Sequence, residues 1–285
     1  MSACGDSRQG GAGRVRRFEM NFCWSLSDPG GYDSLPMNLE NKTALVTGGT
    51  KGIGAATAVA LAKAGANTAI VGRHDDAEAQ TTKRDIEKLG RRCEIIIADC
   101  SKAAEAARCV HEAAAKLGAL DVLVHSAGGP VNGRLFEITE TDWQDAFDIH
   151  VHAIFHLCRA AIPLMKPRRE GAIILVSSTA GLRGVHTNIA YQVVKGALPH
   201  FTRALAREFA DDNIRVNCVA PGVVRTRFHA TMSEPQKKLN LEQRIPLHRE
   251  GTPAQVASLI TELVTNDYIT GETFTIDGGL TMRIA

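Results

Sequence analysis

The chain has 285 residues, of which 44% are hydrophobic, and its 33 basic side chains nearly balance its 31 acidic ones. That length supports one large core or two modest ones. The sequence has no basic stripe interleaved with aromatic residues, which argues against a nucleic-acid partner. No apolar run approaches the roughly 20 residues that cross a bilayer, which argues against a membrane protein.

Seven cysteines are scattered along the chain, with no CxxC pair and no spacing typical of metal ligands. An odd number without a framework indicates reduced thiols in a reducing compartment. We therefore predict a cytoplasmic protein.

Residues 1–36 are rich in Gly, Ser and Arg and show no helical or strand period. Such a composition predicts a disordered N-terminal extension. Met37 stands just before the first clear strand, so an upstream start is an alternative, and the arginines leave an organelle-targeting peptide open. We predict one folded domain over 37–285.

From residue 42 the chain alternates short apolar strands with helical stretches. The predicted strands are Thr43–Thr47, Thr68–Val71, Glu94–Ala98, Leu120–Val124, Ala172–Val176, Ile214–Val219 and Thr273–Ile276. The predicted helices are Ala55–Ala64, Ala77–Leu89, Ala103–Leu117, Asp142–Met165, Ile189–Phe209 and Pro253–Val264. This alternation predicts an α/β fold, a Rossmann-type doubly wound parallel sheet of about seven strands with helices on both faces. Ligands of such sheets bind beyond the carboxyl ends of the strands.

A glycine-rich turn over 47–54, TGGTKGIG, joins the first strand to the first helix. Glycines there permit a tight turn and let the backbone approach a pyrophosphate, while the helix N-terminus supplies NH groups and partial positive charge. Its spacing, Gly48-xxx-Gly52-x-Gly54, differs from the common GxGxxG. We interpret the turn as a nucleotide site.

The same turn resembles the TGxxxGxG segment of the classical short-chain dehydrogenase/reductase family, and the resemblance extends over about residues 40–280. Ordered matches follow: Asp99 after the third strand, SAG over 126–128, Ser178, YQVVK over 191–195, Asn217, PG over 221–222, Thr226, and DGG over 277–279. The resemblance implies a catalytic domain that transfers a hydride between a nicotinamide and a carbonyl or secondary alcohol substrate. It also implies a cofactor site formed by Thr47, Gly48, Thr50, Lys51, Gly52, Ile53, Gly54, Arg73, Asp99, Cys100, Ser126, Ala127, Gly128, Tyr191, Lys195, Pro221, Gly222, Val224 and Thr226.

The predicted catalytic residues are Ser178, Tyr191, Lys195 and His150. Tyr191 and Lys195 are four residues apart on a predicted helix and so share one face. A tyrosine titrates near pH 10, about three units above neutrality, and we expect the lysine and the positive nicotinamide to lower that pKa. Tyr191 would then act as general acid or base. The resemblance implies that Lys195 holds the nicotinamide ribose and that Ser178, rather than Ser177, bonds the substrate oxygen.

Two positions depart from the family pattern. Counting from Trp143 places His150 where the family has a fourth catalytic Asn, and His125-Ser126 replaces the two Asn of NNAG, so the sheet-bracing Asn side chains are absent. We expect His150 to replace the Asn in a proton relay and, through protonation in mild acid, to give activity an acidic limb. A His150 that points away and only packs the helix is the alternative. Several other histidines lie nearby in sequence, but their diffuse spacing argues against a metal.

The second strand ends at Gly72, followed by Arg73, where NAD enzymes of this fold place a carboxylate on the ribose hydroxyls. A guanidinium can instead bind a 2′-phosphate, and Lys51 can approach from the other side. We therefore predict that NADP(H) is preferred, with NAD(H) as the alternative. Asp75 and Asp76 are expected to begin the next helix.

The substrate class stays open. We expect the loops Gly129–Asn132, Leu182–Asn188 and Val223–Leu247 to line its pocket. A 3-oxoacyl thioester is the first choice by family frequency, and the four-residue step from Tyr191 to Lys195 disfavours an enoyl reductase. A nucleotide-binding scaffold that has lost catalysis is the alternative function.

Two further expectations concern the helices. The resemblance implies a homo-oligomer, most often a tetramer, in which Asp142–Met165 and Ile189–Phe209 pack against partners. Pro199 has no NH, so the carbonyl of Lys195 must bond water or a side chain, and the helix should bend there.

Overall fold

The computed structural model describes residues 36–282 except 187 and 227–231. The predicted extension over 1–36 lies, apart from Pro36, outside the described residues. In the described part, no helix combines the length and the apolar character that crossing a membrane requires.

Seven short parallel strands form the sheet. They are β1 (Thr43–Thr47), β2 (Asn67–Gly72), β3 (Cys93–Ile97), β4 (Val122–His125), β5 (Gly171–Val176), β6 (Ile214–Pro221) and β7 (Thr273–Ile276). Their order across the sheet is β3-β2-β1-β4-β5-β6-β7, as predicted for a doubly wound fold. Every residue of β1, β4, β5 and β6 is buried, because helices cover both faces of the sheet.

Within the described residues, eight α-helices connect and cover these strands. They are α1 (Gly52–Lys63), α2 (Ala77–Glu87), α3 (Ala103–Leu117), α4 (Glu140–Phe147), α5 (Ala153–Met165), α6 (Ile189–Phe209), α7 (Glu234–Leu239) and α8 (Pro253–Thr265). One apolar core lies between the sheet and α3, α5 and α6. A second core lies on the other face, against α1 and α8.

The chain reverses its direction of travel across the sheet at β1, which pairs with β2 on one side and β4 on the other. The loops that leave β1 and β4 therefore diverge to opposite faces and open a crevice between them. The fold thus positions the glycine turn and the 126–128 segment on either side of one cleft.

The predicted long helix Asp142–Met165 is divided. It begins two residues earlier, at Glu140, where the Thr139 side chain accepts a hydrogen bond from the Asp142 amide and the Asp142 carboxylate accepts one from the Thr139 amide. A π-helical turn over Asp148–His152 then separates α4 from α5. Such turns insert one extra residue into the helix and are frequent at functional sites. Here the turn carries His150, which is 1% exposed.

Candidate active site

A cleft of about 2040 Å³ opens at the carboxyl ends of the strands. The cleft is lined by every predicted catalytic and cofactor residue except Thr47, which lies buried beneath the glycine turn. Residues of the three segments predicted for the substrate also line it, among them Asn132, Val185 and Gln243. The third segment was predicted as a loop, but it contains α7 and a π-helical turn over Asn240–Arg244. The fold therefore brings together residues that are as much as 233 positions apart in sequence, Gly48 and Thr281.

The glycine turn is closely packed. Gly48 has a φ of +66°, and a Cβ there would lie 2.9 Å from the backbone of Ala127. A Cβ on Gly54 would lie 2.2 Å from the carbonyl oxygen of Gly48. Lys51 precedes α1 without a side-chain hydrogen bond to its first turn, which carries no acidic residue. The backbone NH groups at the start of α1 are therefore not capped by the Lys51 side chain. Together with the positive end of the helix dipole, they fit a pyrophosphate.

The end of β2 carries no carboxylate. Gly72 packs against the side chain of Thr50, and Arg73 and Lys51 are exposed on the cleft. Asp76 is the N-cap of α2, where its carboxylate accepts hydrogen bonds from two backbone amides, so the expected start of the helix is confirmed. Asp76 also lines the cleft, but its carboxylate is engaged by these backbone amides at the start of the helix.

Asp99 lies two residues beyond the end of β3, on the cleft wall. Its carboxylate accepts hydrogen bonds from the amide and the hydroxyl of Ser101. The pKa of Asp99 lies below its usual range, because these hydrogen bonds and the nearby charge of Arg73 outweigh the opposing effect of burial. Asp99 therefore presents a charged carboxylate at the far end of the cleft.

Ser178, Tyr191 and Lys195 meet at the floor of the cleft. Ser178 follows β5, and its side chain hydrogen-bonds that of Tyr191 on α6. The ammonium of Lys195 lies 5.7 Å from the centroid of the Tyr191 ring. It donates to the carbonyl of Val176, the last residue of β5, at 2.7 Å. The three predicted catalytic side chains are thus in mutual reach.

Burial controls the ionisation of this group. It raises the pKa of Tyr191 to about 12, and the hydrogen bond with Ser178 offsets only part of the rise. Burial lowers the pKa of Lys195 to about 8. Among the protein's own groups the expected lowering of the tyrosine pKa by the lysine is not found, because the loss of water around the phenolate dominates. The lowering expected from the positive nicotinamide stays a prediction. Tyr191 is a protonated phenol at neutral pH.

Comparison with known proteins agrees with this geometry. The sequence model of a family described as enoyl-(acyl-carrier-protein) reductase matches residues 48–281. A 3-oxoacyl-(acyl-carrier-protein) reductase FabG of Chlamydia muridarum is 35% identical over 244 residues, which is 85% of this chain and 98% of the relative. This chain belongs to the short-chain dehydrogenase/reductase family. It is therefore a dehydrogenase/reductase that acts between carbonyl and hydroxyl groups, and its family uses nicotinamide cofactors.

Two solved structures of similar proteins share the fold. A blue fluorescent protein from a metagenomic library, in complex with NADPH, is 33% identical with a TM-score of 0.80, over 86% of this chain and all (100%) of that one. The L-sorbose reductase of Gluconobacter frateurii, complexed with NADPH and L-sorbose, is 28% identical with a TM-score of 0.81, over 88% of this chain and 100% of that one.

His125 braces the sheet in place of the Asn side chains that the NNAG segment of the family would provide. Its Nε2 lies 3.1 Å from the carbonyl of Ile149, which can only accept, so Nε2 carries the proton. Its Nδ1 then accepts from the Thr47 hydroxyl at 2.9 Å. That hydroxyl in turn accepts from the amide of Ala127 at 3.3 Å. One imidazole thus connects β1, the 126–128 segment and the π-helical turn, and Thr47 serves this bracing.

His150 faces the cleft rather than pointing away. Its Nε2 donates to the carbonyl of Gly129 at 3.1 Å, and its ring meets the Tyr191 ring edge-on at 5.8 Å between centroids. A Cβ on Gly128 would lie 2.1 Å from the imidazole, so a glycine is required there. Its Nδ1 is buried and has no hydrogen-bond partner within the described residues. This leaves an acceptor available beside the catalytic group.

The expected acidic limb from His150 is contradicted. Burial, with the charge of Lys195, lowers the pKa of His150 to about 2. The same two causes lower the pKa of His125 to about 3. Neither imidazole therefore gains a proton in mild acid, because the surroundings that hold it also exclude the water that an imidazolium needs.

The carbonyl of Lys195 accepts a hydrogen bond from the hydroxyl of Ser177 at 2.7 Å. This confirms the expectation that a side chain would replace the helical NH that Pro199 lacks. α6 is otherwise continuous over Ile189–Phe209, and the bend at Pro199 stays a prediction.

Sequence reasoning missed the bracing by His125 and part of the cleft wall. The unpredicted lining residues include His74, Lys102, Asp145, Ile149 and Thr281. His125 was visible as a polar residue ending an apolar strand, but its two partners lie 78 and 24 residues away in sequence. Among the described residues, no group of three or more His, Cys, Asp or Glu is arranged to hold a metal ion.

Proposed function

We propose that this protein is an NADP(H)-dependent carbonyl reductase in which Tyr191 protonates the substrate oxygen. The observation that carries the proposal is the hydrogen bond between Ser178 and Tyr191 beside Lys195 at the floor of the cleft. These side chains come from β5 and α6, which the fold has brought to one point. A scaffold that only binds a nucleotide has no use for such a group.

The bound nicotinamide would supply or accept the hydride. Gly48, Gly52 and the first turn of α1 would hold the pyrophosphate, and Asp99 would face the adenine. Lys195 would bind the ribose hydroxyls next to the nicotinamide. The close approach of the Gly48 backbone to Ala127, which a Cβ would prevent, makes this assignment fit the residues present.

Tyr191 and Ser178 would share the substrate oxygen. Because burial raises the pKa of Tyr191 to about 12, the phenol holds its proton at neutral pH and can donate it to an oxygen that gains negative charge. Ser178 would donate a second hydrogen bond to that oxygen and orient it. This protonation state favours the reducing direction.

We assign the 2′-phosphate of the cofactor to Arg73 and Lys51. Both side chains are exposed on the cleft beside Gly72, and a guanidinium can bind a phosphate with two parallel hydrogen bonds. Relatives solved with NADPH support this choice.

We further propose that His150 replaces the family Asn as the neutral end of a proton relay behind Lys195. Its buried Nδ1 can accept a hydrogen bond from a water molecule, while its Nε2 is fixed by Gly129. The low pKa keeps it neutral, so the relay would work without adding charge beside the lysine.

We place 3-oxoacyl thioesters first among substrates, because a FabG relative covers nearly the whole domain. A ketose is the second choice, because the L-sorbose reductase shares the fold. We also propose a cytoplasmic homotetramer. The five described cysteines are all buried free thiols, which supports a reducing compartment.

The test is oxidation of NADPH by purified protein with acetoacetyl-CoA, L-sorbose and a panel of simple ketones, with crotonyl-CoA included for enoyl reduction. We expect turnover of at least one carbonyl substrate and a loss of at least about 100-fold in kcat for Tyr191→Phe. Nucleotide binding without turnover of any compound, with Tyr191→Phe indistinguishable from wild type, would favour the scaffold.

A further inference from the structure

The last residue of β5 and the residue after it hydrogen-bond Lys195, one through its side chain and the other through its main chain. The side-chain ammonium donates to the carbonyl of Val176, and the main-chain carbonyl accepts from Ser177. Both hydrogen bonds are 2.7 Å long, and Ser177 and Lys195 are 3% and 6% exposed. Two consecutive residues of one segment therefore hold the lysine.

The hydrogen bond from Ser177 replaces one that α6 cannot form. In an α-helix the carbonyl of residue 195 bonds the NH of residue 199, which is proline here. A buried carbonyl without a donor is destabilising, because it loses its hydrogen bonds to water and gains none in return. Water has little access, because Gly181 packs so closely that a Cβ there would lie 2.5 Å from the carbonyl carbon of Lys195. The Ser177 hydroxyl is the donor that this site contains.

We propose that Ser177 is a positioning residue: its hydroxyl replaces the hydrogen bond that Pro199 cannot make and thereby fixes the backbone from which Lys195 reaches the cleft. The inference rests on the proposed function, since it gives a role to the lysine of that site. Ser177 itself does not touch the reacting atoms. It acts through Lys195, while the adjacent Ser178 faces Tyr191.

Two substitutions, one at each partner of this arrangement, test the role of Ser177. Ser177→Ala removes the donor, and Pro199→Ala restores a helical NH to the same carbonyl. We expect Ser177→Ala to lower kcat by about 10- to 100-fold with a smaller change in KM for the nucleotide, because small displacements of catalytic groups have effects of this size. Ser177→Ala/Pro199→Ala should return to within about threefold of Pro199→Ala alone.

Pro163, which lies inside α5, provides the matched control. Its replacement by alanine restores a helical NH elsewhere and should not rescue Ser177→Ala. Unfolding temperatures of all variants are measured alongside kcat. Rescue of kcat by Pro199→Ala but not by Pro163→Ala supports positioning. Rescue of the unfolding temperature alone, with kcat still low, would overturn it.

Two outcomes separate this inference from the proposed function. If Ser177→Ala keeps kcat within twofold of wild type while Lys195→Met abolishes turnover, Ser177 has no positioning role and the proposed function stands. If both Ser177→Ala and Lys195→Met are fully active, the positioning role of Ser177 and the proposed function both fail. Should Ser177→Ala alone not fold, the comparison is made in the Pro199→Ala background, where a tenfold or larger effect of removing the serine would contradict the proposal.

Discussion

Gly72 lies against Thr50 so closely that a Cβ on residue 72 would stand 2.6 Å from the Cγ2 atom of the threonine. A carboxylate side chain at the end of β2 would therefore have to displace Thr50 before it could reach a ribose. The next residue, Arg73, is exposed on the cleft. The loop after β2 thus disfavours the ribose-binding acid of an NAD enzyme and presents a phosphate ligand instead.

The first prediction concerns cofactor preference. Arg73→Ala should lower kcat/KM for NADPH by about 10- to 100-fold, the range expected for a charge-assisted hydrogen bond, and change that for NADH by less than about threefold. Lys88→Ala, which removes a charge 74% exposed at the other end of α2, is the control. Equal losses with both nucleotides would show that Arg73 does not read the 2′-phosphate.

The second prediction concerns alkaline pH. Lys195 has its pKa lowered to about 8 and Tyr191 has its pKa raised to about 12. As pH rises through 8 the lysine loses its charge while the tyrosine keeps its proton, so kcat/KM for NADPH, which reports the pKa values of the free enzyme, should fall with a midpoint near 8. Lys195→Arg should remove that limb, since a guanidinium stays charged. A limb that survives unchanged in Lys195→Arg would belong to another group.

The third prediction concerns stability in acid. His125 and His150 have folded-state pKa values of about 3 and about 2, against an ordinary value of about 6.5 in the unfolded chain. The free energy of unfolding is therefore unaffected by these two histidines above pH 6.5. It decreases as pH falls from 6.5 toward their folded-state pKa values, because the unfolded chain binds protons that the folded protein does not. The free energy of unfolding should fall by about 1.4 kcal/mol per pH unit for each histidine.

Urea unfolding at pH 6, 5 and 4 and at one protein concentration measures this slope. His150→Asn should reduce the slope by about 1.4 kcal/mol per pH unit, whatever it does to the absolute stability. His111→Asn, on the exposed surface of α3, controls for the loss of one histidine. A slope that His150→Asn leaves unaltered would mean that the buried imidazole is protonated in the folded protein.

The fourth prediction separates the relay from packing. His150→Asn keeps a polar group that donates and accepts, whereas His150→Phe fills the space under Gly128 without an acceptor. We expect the Asn variant to stay within about threefold of wild-type kcat and the Phe variant to lose at least about tenfold. Between pH 5 and 7, wild type and the Asn variant should have the same profile. Equal activity of both variants would leave His150 a packing residue only.

The fifth prediction concerns assembly. An apolar groove between α5 and α6 is lined by Phe155, Cys158, Ile162, Phe201 and Leu205, and Phe155 is 45% exposed. Exposed apolar surface of this kind marks an interface. The tetramer is what the family resemblance implies, and the groove is the surface that we expect to be buried in it. Light scattering should show a tetramer at micromolar concentration, and Phe155→Glu should shift it to a smaller species.

Phe136→Glu is the control for that experiment, since Phe136 is 98% exposed and lies outside the groove. It should leave the assembly intact. A wild-type monomer would remove the basis of the prediction.

Much of this protein was determined locally, by the order of residues along the chain. Short apolar strands alternating with helices predict the parallel sheet, and the glycine turn and the four-residue step from Tyr191 to Lys195 identify the candidate site. Strand and helix periods, glycine conformation and helical spacing depend on neighbours in sequence, so they can be read without a structure. The carbonyl left open by Pro199 is another such local consequence.

Only the tertiary structure decided how the site ionises and how it is braced. His125 meets Thr47 across 78 residues of sequence, and the π-helical turn that carries His150 has no local signature. Desolvation is a property of the folded surroundings, so the sequence did not reveal that burial raises the pKa of Tyr191, and it wrongly predicted an acid-sensitive His150. The hydroxyl that bonds Lys195 was likewise chosen by packing, which brings the end of β5 against α6 and places Ser177 at the carbonyl that Pro199 leaves without a helical donor.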